Sequence, residues 1–213
     1  MGKPERLGPY LLEQPEGVFP LGEDTLALGR FATVRRGWRV CDLGCGSGAL
    51  LLLLAGRAEG LALSGLDLSP RAVRACRDNL AHNGLDGCVL QGDLCAPPFP
   101  AGGFDLVISN PPYFARGSGA SGGPERSEEQ CTLEQLCAGA ARLTRSGGRF
   151  ALCHRPERLC DLLCAMREHG LEPKRLQMMA HAPDAAPSAV LVEGVRQGRS
   201  GLEVLPALIR AGG

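Results

Sequence analysis

The chain has 213 residues, enough for one ordinary α/β domain and a modest appendage, and a hydrophobic content of 44% supports a real core. Its 23 basic and 23 acidic residues cancel, so the protein as a whole does not attract nucleic acid, and any such contact needs a local patch. The charge is uneven: residues 1–141 carry 12 Lys/Arg against 16 Asp/Glu, and residues 142–213 carry 11 against 7.

The first six residues lack an apolar signal segment, and the longest apolar stretch, Ala49 to Ala55, is far too short to span a bilayer. Ten cysteines raise the question of disulfides or metal. Cys41/Cys45 and Cys160/Cys164 are four apart, however, and no Cys-x-x-Cys pair exists. Several sit in apolar runs, as Cys41, Cys88 and Cys153 do, where a free thiol packs as a small hydrophobe. The expectation is a reducing, cytoplasmic compartment and no bound metal.

Residues 1–20 contain four prolines and little periodicity and read as irregular chain. A short helix is expected from about Asp24 to Ala32, with Leu26, Leu28 and Phe31 on its apolar side. Residues 1–36 therefore form an N-terminal extension packed on a main domain of residues 37–213. Trp38 to Leu43 is the first strand of the main sheet, Gly44-Cys-Gly-Ser-Gly48 is a turn, and Ala49 to Arg57 is an apolar helix. Glycines let the backbone approach a ligand while the helix N–H groups point at it. A second strand, Leu61 to Leu66, ends at Asp67. This carboxylate stands 19 residues after Gly48, the separation expected of a group that accepts ribose hydroxyls.

Ser69-Pro70 has the form of an N-cap and a first-turn proline, opening a helix closed by Asn83-Gly84. The third strand, Cys88 to Gln91, leads to Asp93 and Leu94, where a carboxylate could accept from an adenine amino group. Phe104 to Ser109 is a fourth strand, buried and β-branched, and Asn110-Pro-Pro-Tyr113 follows at its end. The prolines stiffen that turn. It offers an amide and carbonyls that can accept from an NH₂ group, beside a ring that can stack on a planar base.

Residues 115–130 are Gly/Ser-rich, then charged, and serve either as a lid or as a plain connector. Thr132-Leu-Glu-Gln135 has the form of a capping box and starts a helix with Leu133, Leu136, Cys137, Ala140 and Leu143 on one face. A strand over Arg149 to Cys153 follows, then a helix opened by Pro156. Two further strands are expected near Arg175 to Ala180 and Ala189 to Val195. Arg155, Arg158, Lys174 and Arg175 are candidate phosphate contacts.

A nicotinamide-binding turn would read G-x-G-x-x-G. This chain instead has Asp42-Leu-Gly-Cys-Gly-Ser-Gly48, which resembles the S-adenosylmethionine loop of class I methyltransferases. Asn110-Pro-Pro-Tyr113 resembles the motif of those that modify planar amide or amine nitrogens. With Phe19-Pro-Leu-Gly-Glu-Asp-Thr25, His154-Arg-Pro-Glu-Arg-Leu159, Leu171-Glu-Pro-Lys-Arg-Leu176 and the tail from Gly201 to Pro206, the chain is similar to bacterial tRNA adenine-N6 methyltransferases. It departs from them in Glu23, where a small polar residue is common, and in its neutral charge.

The resemblance implies a doubly wound, mostly parallel seven-stranded sheet of order 3-2-1-4-5-7-6 with an antiparallel last strand. It implies S-adenosylmethionine held by Asp42, Gly44, Gly46, Gly48, Asp67, Leu68, Asp93, Leu94 and Asn110. It further implies a flipped base held by Asn110, Pro111, Pro112 and Tyr113, with RNA, in particular tRNA, as the substrate. Three alternatives stay open: glutamine-N5 methylation of a protein, guanine-N2 methylation of ribosomal RNA, and a cofactor-binding scaffold that activates a partner.

Overall fold

The computed structural model describes residues 4–111 and 131–209. In chain order the elements are β1 (Glu5–Leu7), β2 (Tyr10–Leu12), α1 (Glu23–Phe31), β3 (Arg39–Leu43), α2 (Ala49–Ala55), β4 (Ala62–Asp67), α3 (Pro70–His82) and β5 (Gly87–Gln91). They continue with β6 (Phe104–Ser109), α4 (Leu133–Leu143), β7 (Thr144–His154), a 3-10 turn at Pro156–Arg158, α5 (Leu159–Glu168), β8 (Leu171–Ala180), β9 (Ala189–Arg196) and β10 (Glu203–Ile209).

The main sheet has the order β10-β8-β9-β7-β6-β3-β4-β5. Seven of its strands stand in the expected order, and β9 runs antiparallel to both neighbours. The eighth strand corrects the expected count. β10 adds itself parallel to β8, pairing Val204 with Leu176. Its sequence hides it because Pro206 lacks an N–H and interrupts the ladder, with a register shift between Leu205 and Leu208. The Gln177 side chain compensates by donating to the Pro206 carbonyl at 2.9 Å.

A second correction concerns the N-terminus. The segment read as irregular holds the hairpin β1–β2, turned at Gly8 with φ 62°. Three-residue strands are too short to show periodicity, but Leu7 and Leu12 are buried in the core that α2 completes.

Strand alternation divides the interior into two layers. Val40, Leu106, Ile108 and Ala151 pack with α1, α2 and α3 on one face. Cys41, Val107, Phe150 and Leu152 pack with α4 and α5 on the other. The helices start where their caps require. The Ser69 hydroxyl accepts from Ala72 N, and Thr132 and Gln135 close a full capping box. Five cysteines are buried, but Cys88, expected inside, is exposed, because β5 is the edge strand. Among the described residues no helix is long and apolar enough to cross a membrane.

Candidate active site at the carboxyl edge of the sheet

β3 and β6 lie side by side, while the chain leaves them in opposite directions. Such a switch point opens a crevice at the strands' carboxyl ends. Here it holds a cavity of about 360 Å³. The ends of the two strands are tied directly, since the buried Ser109 hydroxyl donates to the Leu43 carbonyl at 2.6 Å. The two loops that leave them therefore keep a set distance.

On the β3 side, Gly44 and Gly46 have φ 83° and 52°, a region side chains disfavour. Gly44 N and Cys45 N both donate to Leu66 O, at 2.8 and 3.0 Å, which folds the turn back onto β4. Asp67, at the end of β4, accepts from Gly46 N through Oδ2 and from Ser69 N through Oδ1, both at 2.9 Å. Its carboxylate is thus aimed before any ligand arrives. Leu68 beside it is 47% exposed and lines the same cavity with Leu94. Asp93 accepts from Cys95 N at 2.8 Å, which orients it along the cavity wall.

Asp42 differs from these. It is 1% exposed, and its Oδ1 is buried with no hydrogen-bond partner among the described residues. Burial pushes its carboxyl pKa well above the ordinary range, and the nearby charge of Asp67 adds to the rise. A buried orphan acceptor of this kind has a cost that a cationic ligand would remove.

On the β6 side, Asn110 and Pro111 line the cavity. The Asn110 amide donates through Nδ2 to Thr25 Oγ1 at 2.9 Å. Pro112, Tyr113 and the segment 115–130 lie outside the described residues.

Eight of the nine residues expected at the cofactor line this cavity; Gly48 does not. It caps α2 with φ 86°, and a Cβ there would meet Cys76 Sγ at 2.9 Å, so its part is close packing of α2 on α3. Sequence reasoning missed the strap over the cavity, Gly17 to Leu21, and missed Thr25, Ser69 and Cys131 as lining residues. Asn79 and Asn83, one helical turn apart, hold the chain that leads into the strap. Asn79 bonds both the N–H and the carbonyl of Glu13 and reaches Ser47 O in the glycine turn. Asn83 does the same for Leu11.

The four candidate phosphate contacts do not form one patch. Arg155 and Arg158 stand beyond the carboxyl end of β7, on the cavity's edge of the sheet, and Arg158 pairs with Asp161 at 2.7 Å. Arg175 lies mid-strand, level with Ala151 through Glu193. It turns inward, over the Phe31 ring at 4.6 Å and onto the Glu193 carboxylate at 3.3 Å. Neighbouring Lys174 donates to the Arg199 carbonyl at 3.1 Å.

Comparison with known proteins agrees with this geometry. A relative from Parabacteroides distasonis named tRNA1(Val) (adenine(37)-N6)-methyltransferase is 29% identical over 179 residues, which cover 81% of this chain and 75% of that one. One of the same name from Aeromonas hydrophila is 30% identical, covering 71% and 66%. The ribosomal RNA small subunit methyltransferase C of an Enterobacter species is 36% identical over 127 residues, 60% of this chain but 34% of that relative.

Solved structures share the fold. A predicted O-methyltransferase from Agrobacterium tumefaciens superposes with a TM-score of 0.70 at 23% identity, covering 87% of this chain and 86% of that one. The geranyl diphosphate C-methyltransferase of Streptomyces coelicolor, solved with S-adenosyl-L-homocysteine, gives 0.63 at 15% identity, covering 82% and 78%. The family model of the methyltransferase small domain matches residues 24–159, which include both walls of the cavity. The preset Asp67 and the orphaned Asp42 suit a ligand with a ribose diol and positive charge. The chain belongs to the methyltransferase small domain family and is an S-adenosylmethionine-dependent methyltransferase.

Proposed function

We propose that this enzyme methylates an exocyclic amino nitrogen of a nucleobase, adenine N6 in a tRNA. One observation carries the reading. Asn110 and Pro111 face the same cavity as Gly44, Gly46 and Asp67, so an acceptor amide stands beside the cofactor loop. The relatives named for tRNA adenine-N6 methylation, matched over most of both chains, support the choice of substrate. A tRNA substrate puts the reaction in the cytoplasm.

S-adenosylmethionine supplies an electrophilic methyl on a sulfonium. Asp67 binds the ribose hydroxyls, Asp42 takes up the cationic end, and Asp93 with Leu68 and Leu94 holds the adenine. Residues 1–36 cover this assembly, and 37–213 form the catalytic core. Asn110 Oδ1 and the Pro111 carbonyl accept the hydrogens of the target NH₂. This draws the nitrogen toward tetrahedral geometry and turns its lone pair to the methyl. The ring of Tyr113 is the group proposed to stack on the flipped base. The chemistry is positioning and electrostatics. Arg155 and Arg158, on the cavity's edge of the sheet, meet the RNA backbone.

A second reading, methylation of ribosomal RNA, has the support of the 36% identity to the ribosomal enzyme. Incubation with methyl-labelled S-adenosylmethionine and separate pools of unmodified tRNA, rRNA, DNA and release factor tests both. Label in N6-methyladenosine of tRNA is expected. Label confined to rRNA or to protein glutamine would replace the reading, and cofactor binding with no label in any pool would favour a scaffold. Asn110→Ala should lower kcat on the order of 10²–10³ while retaining cofactor. Asn110→Asp keeps an acceptor oxygen and should retain part of the activity.

A further inference from the structure

The strap over the cavity and the glycine turn come from different parts of the chain, and one side chain bonds to both. Asn79, in α3, is 2% exposed. Its Oδ1 accepts from Glu13 N at 2.8 Å, and its Nδ2 donates to Glu13 O and to Ser47 O, both at 2.9 Å. All three partners are backbone groups. A backbone N–H only donates and a carbonyl only accepts, so these partners fix which end of the amide is which.

We infer that Asn79 is a positioning residue of the cofactor site: one buried amide holds the glycine turn and the strap in a single arrangement, so that both walls are set before the cofactor arrives. The inference rests on the reading that S-adenosylmethionine occupies this cavity and adds a group that shapes it from outside.

The tie extends along the strap. Glu13 is followed by Gln14, whose Oε1 accepts from Leu21 N, while Val18 N donates to Pro15 O at 3.3 Å. Gln14 thus closes the loop whose residues Gly17 to Leu21 line the cavity. On the other side, Ser47 lines the cavity next to Gly46, and Gly46 N is a donor to Asp67. A bonded path therefore runs from the turn that orients Asp67, through Asn79 and Gln14, to the far end of the strap. Helix α3 carries this path on a fixed base. Ser69 caps its start and donates through N to Asp67, and a Cβ at Gly48 would meet Cys76 Sγ at 2.9 Å, three residues before Asn79. Ordering a loop during binding costs affinity, and a loop ordered in advance spares that cost. Without the amide, Glu13 and Ser47 lose their common partner, and the cofactor has to order two independent walls.

Asn83, one turn further along α3, is a natural control. It makes the same pair of bonds to Leu11, at 2.9 and 2.7 Å, but none to the glycine turn. Leu11 lies in β2, which β1 and the buried Leu12 also hold.

The test measures S-adenosylmethionine affinity by calorimetry, at a temperature well below every melting point, for Asn79→Ala, Gln14→Ala, Asn83→Ala and Asp67→Ala in the full chain. Asn79→Ala should weaken binding about 10-fold and Gln14→Ala about 3-fold, the range of one hydrogen bond's net contribution. Asn83→Ala should melt below the wild type yet bind within about twofold of it. Wild-type affinity in Asn79→Ala would overturn the inference. Wild-type affinity in Gln14→Ala would confine Asn79 to the turn and overturn the tie to the strap. An equal loss in Asn83→Ala would make affinity follow general packing, and the inference would fall. Should Asn79→Ala fail to fold, Gln14→Ala and Asn83→Ala decide by the same criteria. Asp67→Ala separates the inference from the reading beneath it. Unchanged affinity there would move the cofactor out of this cavity and take the inference with it. Lost affinity there beside wild-type affinity in Asn79→Ala would overturn the inference alone.

Discussion

Two carboxylates sit in the interior of the main sheet, and their surroundings are opposite. Glu193, in the seam between α1 and β9, is 0% exposed and receives Arg149 at 2.7 Å, Arg175 at 3.3 Å and both donors of Thr33. Asp42, at the cavity beside β3, is 1% exposed and has one oxygen with no partner among the described residues. Taking a charge out of water costs several kcal/mol unless protein groups compensate. At Glu193 the chain supplies those groups, and the result is a clamp. At Asp42 one oxygen stays unpaired among the described residues and burial raises the carboxyl pKa, a cost that the proposed cationic ligand would offset.

The seam should give the largest effect. Glu193→Ala strands two guanidinium groups and should cost about 3–5 kcal/mol in urea unfolding, as expected for one half of a buried pair. A loss below about 1 kcal/mol, the centre of the range for ordinary substitutions, would break the contrast from the structural side. Asp67→Ala should weaken S-adenosylmethionine binding by about 1.5–3 kcal/mol in calorimetry, the range for hydrogen bonds to a charged group. Unchanged affinity would remove Asp67 from the site.

Asp42→Asn sharpens the comparison through pH. A carboxyl whose pKa is higher in the folded than in the unfolded state costs stability as pH rises above its unfolded value, because the unfolded chain gives up a proton that the folded one keeps. That cost is absent below its ordinary value of 3.8 and grows as pH rises toward the raised one. The ligand-free wild type should therefore lose stability on this account between mildly acidic and neutral pH, and Asp42→Asn should not. At neutral pH the variant should melt about 2–4 °C higher while binding cofactor less tightly. A lower melting point than the wild type would mean that Asp42 is already satisfied.

The smallest effect belongs to Lys174, one residue from Arg175 but turned to backbone carbonyls at the surface. Lys174→Ala should change stability by less than about 0.5 kcal/mol. A change as large as that of Arg175→Ala would extend the clamp to both cations.

Much of this was legible locally. Strand-end positions pointed to Asp67 and Asn110 and the glycine motif to Asp42, all three of which line the cavity, and the Ser69 and Thr132 caps marked two helix starts within one residue. Gly48 is not among the residues lining the cavity, and its sequence does not tell a turn that approaches a ligand from one that packs on Cys76. β10 was hidden by Pro206 and the hairpin by its brevity. Glu193 left a trace, a single acid in the run Ala189 to Val195, but nothing local named its partners.

Element types, caps and the glycine turn follow from neighbouring residues, since backbone conformation and periodicity are short-range properties. The contact of Asn110 with Thr25, the clamp at Glu193 and the unpaired Oδ1 of Asp42 follow from the assembled fold. Thr33 meets Glu193 across 160 positions and Thr25 meets Asn110 across 85. Which donor reaches which buried oxygen depends on strand register and helix docking, and no local pattern encodes either.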